Sequence, residues 1–326
     1  MRRALVTGAN GFIGSHLVER LLDRSCRVRC LVRKTSDLKW LDGLDVEIVT
    51  GDLSDPSSLE AAVRDMAWIF HLGGKTKALT REEFFAANAQ GTERLLQSAE
   101  TANSHLERFV YVSSLAAAGP GNGRPLTETD FPKPVTWYGQ SKLEGERITL
   151  ARSPHLPVTV VRPPIVFGPR DTDVLEFFKA VKRGLIPGIG CKDHFAGFVY
   201  VEDLCEGLVL AAEKNEALGQ TYYLVNEGNC TWKRFGRTVA EALGKTAIPF
   251  PVPFVLLALI VFMNDAWARA RKRATILNRQ KLPEYRARFW GCDGSKAALE
   301  LGFRPSYTLP QAVVKTGSWY RSMGWL

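Results

Sequence analysis

The sequence predicts an α/β fold, in which a doubly wound parallel sheet with helices on both faces is followed by a smaller, mostly helical C-terminal part. Three observations predict it. Short apolar runs alternate with amphipathic segments over the first half of the 326 residues. A glycine-rich turn joins the first apolar run to the first amphipathic segment. Glycines and serines follow later apolar runs, at the sheet edge where such folds bind ligands.

The composition favours an anionic ligand and a reducing compartment. The formal net charge of +9 suits a phosphorylated cofactor, an anionic substrate or an acidic surface. The six cysteines are scattered and form no CxxC pair, so we expect reduced thiols, no metal site and a cytoplasmic location. The first residues have the pattern of a strand rather than that of a signal peptide.

The first strand covers Arg3 to Thr7 and runs into a glycine turn that opens a helix. Gly8 permits a tight turn, Gly11 lets backbone N–H groups approach a pyrophosphate, and Gly14 lets helix and strand pack closely. This context predicts a Rossmann-type dinucleotide site, with the spacing GxxGxxG rather than GxGxxG. A purely structural turn is the alternative. The cofactor-binding residues predicted in this turn are Gly8, Asn10, Gly11, Phe12, Ile13 and Gly14.

The second strand, Arg27 to Val32, ends in two cations, Arg33 and Lys34. A chain built for NAD usually has an acidic residue there, which binds the ribose 2′-hydroxyl. An arginine fork suits a 2′-phosphate instead. We therefore predict NADP as the cofactor, with NAD as the alternative. In that alternative, Arg33 stacks on the adenine or faces solvent.

The third strand, residues 46–49, leads to Asp52 and Leu53, which we predict to contact the cofactor. Asp52 is placed to accept a hydrogen bond from the adenine amino group. Equally, its carboxylate could cap the helix that starts near Pro56.

The fourth strand, residues 68–72, ends in Gly73 and Gly74. These glycines let the backbone lie against the ribose and phosphates of the cofactor. His71 lies inside this apolar strand and is expected to be a core histidine rather than a catalyst. A helix over residues 84–100 should follow, with Asn88 near its start.

The fifth strand, residues 109–112, is followed by Ser113 and Ser114, and a sixth strand covers Val158 to Val161. Ser114 is a candidate for polarising a substrate carbonyl, and a helix or turn cap is the alternative.

Tyr138-x-x-x-Lys142 places a phenol and an ammonium on one face of a helix. The ammonium is expected to lower the pKa of the Tyr138 phenol toward neutrality and so make it a usable acid or base. A solvated helix face that carries both residues is the alternative, because this spacing is common.

The chain resembles the extended short-chain dehydrogenases/reductases, the NAD-dependent epimerase/dehydratase family. The resemblance covers about two thirds of the chain and keeps the order of the family's motifs. The matching residues are Gly8-x-x-Gly11-x-x-Gly14, Gly51-Asp52-Leu53, His71-Leu72-Gly73-Gly74, Asn88-x-x-Gly91-Thr92, Ser113-Ser114, Tyr138-x-x-x-Lys142, Arg162-Pro163, Phe167-Gly168-Pro169 and Val199-Tyr200-Val201-Glu202-Asp203.

The resemblance implies a catalytic group formed by Ser114, Tyr138 and Lys142. Tyr138 would be the acid/base, Ser114 would hydrogen-bond the reacting oxygen, and Lys142 would bind the nicotinamide ribose and tune Tyr138. A homodimer is also implied. The remaining cofactor contacts that it implies are Leu72, Gly73, Gly74, Asn88, Ser113, Pro163 and Ile165.

Two departures separate the chain from the commoner epimerase pattern. Arg33 replaces the acidic strand end, which favours an exchangeable NADPH over a retained NAD. Phe289 and Trp290 stand where sugar-nucleotide enzymes of the family have a polar turn, while Arg286 and Arg288 remain available for a diphosphate. The resemblance is therefore to the 3β-hydroxysteroid dehydrogenase and dihydroflavonol reductase branch.

The C-terminal half is less regular. Residues 182–188 read as a turn, and residues 198–201 as a strand that returns to the main sheet. The uncharged run 255–263 predicts a helix that closes an apolar pocket, being too short to span a bilayer. An interfacial helix is the alternative. The basic residues that follow and favour it are Arg269, Arg271, Lys272, Arg273, Arg279 and Lys281.

These observations predict a Rossmann domain over residues 1–168, to which 197–226 returns, and a substrate-binding part over 169–196 and 227–326. The predicted activity is NADP-dependent interconversion of a ketone and a secondary alcohol on a largely apolar small molecule. An NDP-sugar epimerase or 4-reductase is one alternative, and a non-catalytic NADP-binding scaffold is another. Peripheral membrane contact is a further prediction, whereas no nucleic acid is expected.

Overall fold

A computed structural model of the chain describes residues 1–271, 273–275 and 277–326. Its strands are β1 (Arg3–Thr7), β2 (Arg27–Val32), β3 (Val46–Thr50), β4 (Trp68–His71), β5 (Arg108–Val112), β6 (Val158–Val161), β7 (Ile165–Phe167), β8 (Leu185–Ile189), β9 (Phe195–Tyr200), β10 (Thr221–Tyr222), β11 (Glu227–Thr231), β12 (Ile248–Val252) and β13 (Phe289–Trp290). Its α-helices are α1 (Phe12–Asp23), α2 (Pro56–Val63), α3 (Arg81–Phe85), α4 (Gly91–Ala102), α5 (Leu115–Ala118), α6 (Trp137–Ala151), α7 (Asp173–Lys182), α8 (Val201–Glu213), α9 (Trp232–Leu243), α10 (Phe254–Ala270), α11 (Leu282–Arg286) and α12 (Leu309–Ser322).

The main sheet has seven parallel strands in the order β10-β6-β5-β4-β1-β2-β3. Strands β2 and β3 follow β1 on one side of it in the sheet, whereas β4 lies on the other side of β1. Such a reversal leaves a crevice at the carboxyl ends of the two neighbouring strands, and ligands bind there. The predicted Rossmann-type fold is confirmed.

Side chains of β1 alternate between two apolar layers. Ala4 and Val6 face a core that includes α1 and α8, whereas Leu5 faces a second core that includes α2 and α4. Because β1 lies inside a sheet that is covered on both faces, Ala4, Leu5 and Val6 are all buried and the strand shows no polar alternation in the sequence.

The prediction for residues 198–201 was wrong. They belong to β9 and the start of α8, and β9 lies in a separate sheet with β7, β11 and β13. The place next to β6 in the main sheet is taken by β10 instead. Phe198 is fully buried because it stacks on Phe235 of α9, with ring centroids 4.5 Å apart. A buried strand of a second sheet has the same continuous apolar pattern as a buried strand of the first.

Two further expectations need correction. Residues 182–188 are not only a turn, since residues 185–189 form β8, which pairs in parallel with β12. Proline and glycine in β8 gave it the composition of a turn. The predicted helix over residues 84–100 is divided into α3, a π-helical turn at Ala86–Gln90, and α4.

The uncharged run forms α10, and only three of the helix's side chains are buried, namely Val261, Asp265 and Ala268. Among the described helices, none combines the length and the apolarity that crossing a bilayer requires. Lys272 of the predicted basic cluster lies outside the described residues.

Candidate active site

The glycine turn between β1 and α1 has the geometry that a bound anion requires. Gly8 has φ +71°, and the Gly11 N–H donates to its carbonyl at 3.0 Å. A Cβ on Gly14 would lie 2.1 Å from the Gly8 carbonyl oxygen, so no other residue fits there. Within the described residues, no side chain caps the N-terminus of α1. Its first N–H groups and helix dipole therefore remain for an anion, and the turn fits a dinucleotide pyrophosphate.

The end of β4 is held by a buried hydrogen-bonded chain. Thr7 Oγ1 lies 2.7 Å from His71 Nδ1 and accepts from the Gly73 N–H at 3.0 Å. His71 Nε2 lies 2.9 Å from Thr92 Oγ1. Burial lowers the pKa of His71 to about 3. His71 is thus a neutral core residue, as the sequence predicts, and it fixes the loop of Gly73 at the crevice.

Asn88 connects this loop to α6 through hydrogen bonds. Its Oδ1 accepts from the Lys75 N–H at 2.7 Å, and its Nδ2 donates to Ser141 Oγ at 2.9 Å. A Cβ on Gly74 would lie 2.5 Å from Asn88 Oδ1. The π-helical turn carries Asn88 into this buried position, behind the loop rather than in the open crevice.

The end of β2 presents exposed cations. Arg33 and Lys34 are both exposed. The Asp52 carboxylate accepts from the backbone N–H and the hydroxyl of Ser54, and these bonds, with a smaller contribution from Arg33, hold the pKa of Asp52 below its usual range. The α2 cap is Asp55, whose Oδ1 accepts from Ser57 N at 3.1 Å, so the alternative assignment of Asp52 as that cap was wrong.

Five other predicted cofactor residues lie at the glycine turn, at the start of α1 or just after β3 and β4. The Asn10 side chain donates to the Asp37 carbonyl at 3.3 Å and so joins the glycine turn to the loop after β2. The Leu53 side chain packs beneath Gly73 and Gly91. Phe12, Ile13 and Leu72 pack against the apolar core.

Tyr138 lies in the first turn of α6, where the Thr136 hydroxyl caps the helix by accepting from the Gly139 N–H at 3.1 Å. Burial raises the pKa of Tyr138 to about 12, while the neighbouring Ser114 hydroxyl acts in the opposite direction. The expected lowering of this pKa is therefore not found in this arrangement. Ser114 itself caps α5, its Oγ accepting from the Ala116 N–H at 3.1 Å, so the capping alternative is confirmed and the functional assignment stays a prediction.

Lys142 follows Tyr138 by about one turn and points to the end of β5. Its Nζ donates to the Val112 carbonyl at 2.7 Å and lies 4.3 Å from the centre of the Tyr111 ring. Burial lowers the pKa of Lys142 to about 7, against the opposing influence of Glu146. The Lys142 ammonium donates to the Val112 carbonyl rather than to the Tyr138 phenol. Burial is therefore the main cause of the raised pKa of Tyr138.

Glu146 is the third member of the same helix face and was not predicted as a site residue from the sequence. Its carboxylate accepts from Ser113 Oγ, and it accepts from Arg162 through Nε at 2.9 Å and Nη2 at 2.6 Å. Arg162 also donates to the Tyr223 hydroxyl at 3.2 Å. The spacing could have indicated Glu146, because residues 138, 142 and 146 follow each other every four residues along one face of a helix.

An apolar cavity of about 610 Å³ opens beside Ser114 and Tyr138. Pro163 anchors one side, since its carbonyl accepts from the Leu115 N–H at 2.9 Å. The cavity brings together segments that are far apart in the sequence. Its apolar lining includes Pro164, Ile165, Phe177, Ile186, Phe195, Trp232, Phe250, Val252, Leu257, Leu277, Tyr285 and Trp290.

The lining also carries polar side chains, namely Lys192, Asp193, His194, Lys233 and the pair Lys281–Glu284. Lys281 Nζ lies 2.8 Å from the Glu284 carboxylate and 5.9 Å from the centre of the Tyr138 ring. Trp290 Nε1 donates to the Glu284 carbonyl at 3.1 Å and holds the end of α11 over the cavity. Nothing in the local sequence indicated this pair, because about 140 residues separate it from Tyr138.

The second departure from the sugar-nucleotide pattern has a structural counterpart. Phe289 and Trp290 form β13, which pairs with β9. The Arg288 guanidinium donates to the Asp193 carbonyl at 3.3 Å, and Arg286 is exposed.

Comparisons with known proteins agree with this architecture. Residues 4–225 match the model of the NAD dependent epimerase/dehydratase family. The ceramide reductase of Caulobacter vibrioides (strain NA1000 / CB15N) is 31% identical over 324 residues, which cover 98% of this chain and 95% of that protein. The 4-hydroxy-2-methyl-3-oxo-4-farnesyl-3,4-dihydroquinoline-1-oxide ketoreductase of Stigmatella aurantiaca is 29% identical, covering 82% of this chain and 81% of that protein.

The crystal structure of gox2253 superposes with a TM-score of 0.83 at 28% identity and covers 99% of both chains. Because the superposition covers almost the whole of both chains, the cavity region as well as the main sheet shares the fold of that structure. The family match and the relatives named as reductases place the chain among enzymes. The chain belongs to the NAD dependent epimerase/dehydratase family, within the extended short-chain dehydrogenases/reductases, and is an NAD(P)-dependent oxidoreductase.

Proposed function

We propose that the protein interconverts a ketone and a secondary alcohol on a largely apolar substrate, with NADP as its cofactor. The observation that carries this proposal is the apolar cavity of about 610 Å³ with Ser114 and Tyr138 in its wall. A cavity of this size and lining takes up a mostly hydrocarbon molecule and directs its few polar groups to the few polar side chains. Relatives named as a ceramide reductase and a ketoreductase support the same class of reaction.

Tyr138 would act as the acid in the reductive direction. Its phenol must be protonated to donate, and a pKa raised by burial keeps it protonated at neutral pH. The Ser114 hydroxyl stands beside it to hydrogen-bond the substrate oxygen as negative charge develops there. Lys142 would offer its ammonium to the ribose of the cofactor at the end of β5, where Val112 now holds it.

The cofactor would supply the hydride and accept it in reverse. The N–H groups that follow Gly11 would hold its pyrophosphate, and the loop of Gly73 would lie along its ribose. Arg33 and Lys34 would face a 2′-phosphate, since the end of β2 carries no carboxylate. This last point is what favours NADP over NAD.

The reaction is tested with Tyr138→Phe, assayed on a panel of ketones of increasing apolar length. We expect turnover to fall at least about a hundredfold, because proton donation contributes rates of that order. Affinity for NADPH, followed by its fluorescence, should stay within about twofold, since the variant removes one oxygen atom that lies outside the glycine turn. Retained turnover would remove Tyr138 from the mechanism, and lost cofactor binding would show that the variant does more than remove an acid.

Cofactor preference is tested with Arg33→Asp. Wild type and variant are titrated with NADPH and NADH, after any nucleotide that co-purifies has been identified. We expect wild type to prefer NADPH and the variant to lose at least about tenfold in NADPH affinity, since it exchanges a phosphate-binding cation for an anion. Lys34→Gln is the matched control and should have a smaller effect. Tightly retained NAD and no effect at Arg33 would favour the epimerase alternative, for which nucleotide sugars are the next ligands.

The homodimer that the resemblance implies stays a prediction. Sedimentation equilibrium of the full chain measures it, and a monomer at micromolar concentration would overturn it.

A further inference from the structure

Helix α10 exposes an apolar face that the rest of the described structure leaves uncovered. Val255 is 81% exposed, Met263 66% and Trp267 53%, and Leu259 and Phe262 between them are also exposed. Only three residues of the helix are fully buried, while Leu257 and Asn264 are partly buried against the protein. Soluble monomers rarely expose contiguous apolar patches of this kind, and those that do mark an interaction site.

Cations surround the C-terminal end of this face. Between residues 254 and 281 the sequence carries six basic residues and one acidic residue, Asp265. Asp265 is buried and paired with Arg269 at 2.9 Å and with Arg279 at 3.0 Å. Arg271 lies 4.2 Å from the Trp267 ring. An apolar helix face bordered by tryptophan and arginine is the composition of a helix that lies in a membrane interface.

The substrate cavity opens beside the same face. Phe250 and Leu277 line the cavity and are also exposed, so they form part of its rim. Leu257 of α10 lines the cavity, while Leu256 and Leu259 next to it face outward. The apolar surface therefore continues from the outer face of the helix into the cavity.

We infer that α10 docks the enzyme on an anionic membrane surface and that the cavity receives its substrate, an amphipathic lipid, from that surface. The helix would lie in the plane of the interface with its apolar face among the acyl chains and its arginines at the headgroups. The docking stands on α10 alone, whereas the nature of the substrate rests on the proposed function.

A second copy of the chain suits this face less well. A two-fold interface brings each patch against its own equivalent. It would therefore place the cations of two such patches in one interface, where the carboxylate on each side, Asp265, is already paired, and this is less favourable than an anionic partner. An anionic lipid surface offers the complementary charge for the same residues.

The test is flotation of the full chain with vesicles of phosphatidylcholine alone and of phosphatidylcholine with about 30% phosphatidylglycerol. We expect binding to the anionic vesicles at 0.1 M salt and weaker binding at 0.5 M salt, because screening reduces attraction to the headgroups. The double variant Leu259→Gln/Met263→Gln should bind at least about tenfold more weakly, since it removes apolar side chains from the interface. Its matched control, Leu299→Gln/Val314→Gln, changes two exposed apolar residues elsewhere and should bind as wild type does.

The charge contribution is tested separately with Arg271→Gln/Arg273→Gln, expected to weaken binding to anionic vesicles about tenfold or more. Arg27→Gln/Arg64→Gln removes two exposed cations from the main-sheet region and is the control. Any of three results would overturn the inference. Wild type fails to bind vesicles, the two control variants lose vesicle binding as much as the test variants do, or the Leu259/Met263 variant dissociates a dimer. Tyr138→Phe should bind vesicles normally, so a failure of the proposed catalysis would leave this result standing.

Discussion

The main-sheet region, β1 to β6 with α1 to α6, and the cavity region, α7 to β9 with β11 to β13, place their polar groups differently. In the main-sheet region, the buried polar groups beside the predicted cofactor site are hydrogen-bonded to one another, as in the Glu146–Arg162 pair and the His71 chain. In the cavity region, an ion pair such as Lys281–Glu284 is partly exposed within an apolar lining.

This difference follows from what each region has to hold. A dinucleotide has the same shape in every turnover, so backbone and side chains that bind it gain from being fixed by satisfied, buried hydrogen bonds. The largely apolar substrate that we propose would be recognised by area and shape, for which a mostly apolar wall with a few polar side chains is sufficient. The predictions below measure how far this contrast holds, beginning with the largest effect.

The first prediction compares one ion pair from each region. Arg162→Met should lower the free energy of unfolding by about 3–5 kcal/mol, because it leaves the Glu146 carboxylate buried without its cation. Lys281→Met should lower it by less than about 1 kcal/mol, because water reaches both partners of that pair. Urea unfolding followed by circular dichroism measures both. Equal losses at the two sites would show that the regions do not differ in this respect.

The second prediction compares two glycines. Gly14→Ala should cost about 3 kcal/mol and weaken NADPH binding, because the added Cβ meets the Gly8 carbonyl at 2.1 Å. Gly188→Ala should change stability by less than about 0.5 kcal/mol, since an added Cβ there meets no described atom within 4 Å. Thermal unfolding and NADPH titration distinguish them. A tolerated Gly14→Ala would mean that the turn adjusts, and the pyrophosphate assignment would lose its geometric support.

The third prediction concerns pH. The folded pKa of His71 is about 3 and the ordinary value is 6.5, so between these values the unfolded chain binds a proton and the folded chain does not. Stability should therefore fall as pH decreases from 6.5 toward 3, by up to about 1.4 kcal/mol per pH unit from this residue. His71→Asn should remove that slope. His194→Asn in the cavity region should remove less, because the burial of His194, which also lowers its pKa, is partial. Urea titrations at several pH values decide the matter, and equal slopes for wild type and His71→Asn would contradict the assignment.

The same contrast explains how much could be predicted from the sequence. In the main-sheet region, the strands β1, β2 and β6 were predicted to the residue, since strand, glycine turn and helix follow each other locally. Tyr138 and Lys142 could be placed on one face because helix geometry fixes residues four apart. What could not be predicted was the direction of the Tyr138 pKa, which depends on burial by Phe84 and the cavity wall.

In the cavity region, the tertiary contacts between distant segments could not be predicted from the sequence. The apolar run of β9 predicted a buried strand, but two sheets were available to it, and only tertiary packing of Phe198 on Phe235 decides between them. Lys281 comes near Tyr138 only through tertiary folding, with its Nζ 5.9 Å from the centre of the Tyr138 ring. Local patterns determine elements, whereas a cavity assembled from distant segments depends on contacts that no single segment encodes.

The last and smallest effect tests whether the cavity region acts on the substrate without acting on the cofactor. Trp290→Phe removes the hydrogen bond from Nε1 to the Glu284 carbonyl, a bond whose loss costs about 1 kcal/mol, while keeping an aromatic ring in the wall. Because that bond holds α11 over the cavity, KM for the ketone should rise about three- to tenfold, whereas kcat and NADPH affinity should change by less than about twofold. Trp232→Phe, which also changes a lining tryptophan, is the control for loss of ring area. A parallel loss of NADPH affinity in Trp290→Phe would mean that the two regions are mechanically coupled, and the apolar wall would then have to be treated as part of the cofactor site.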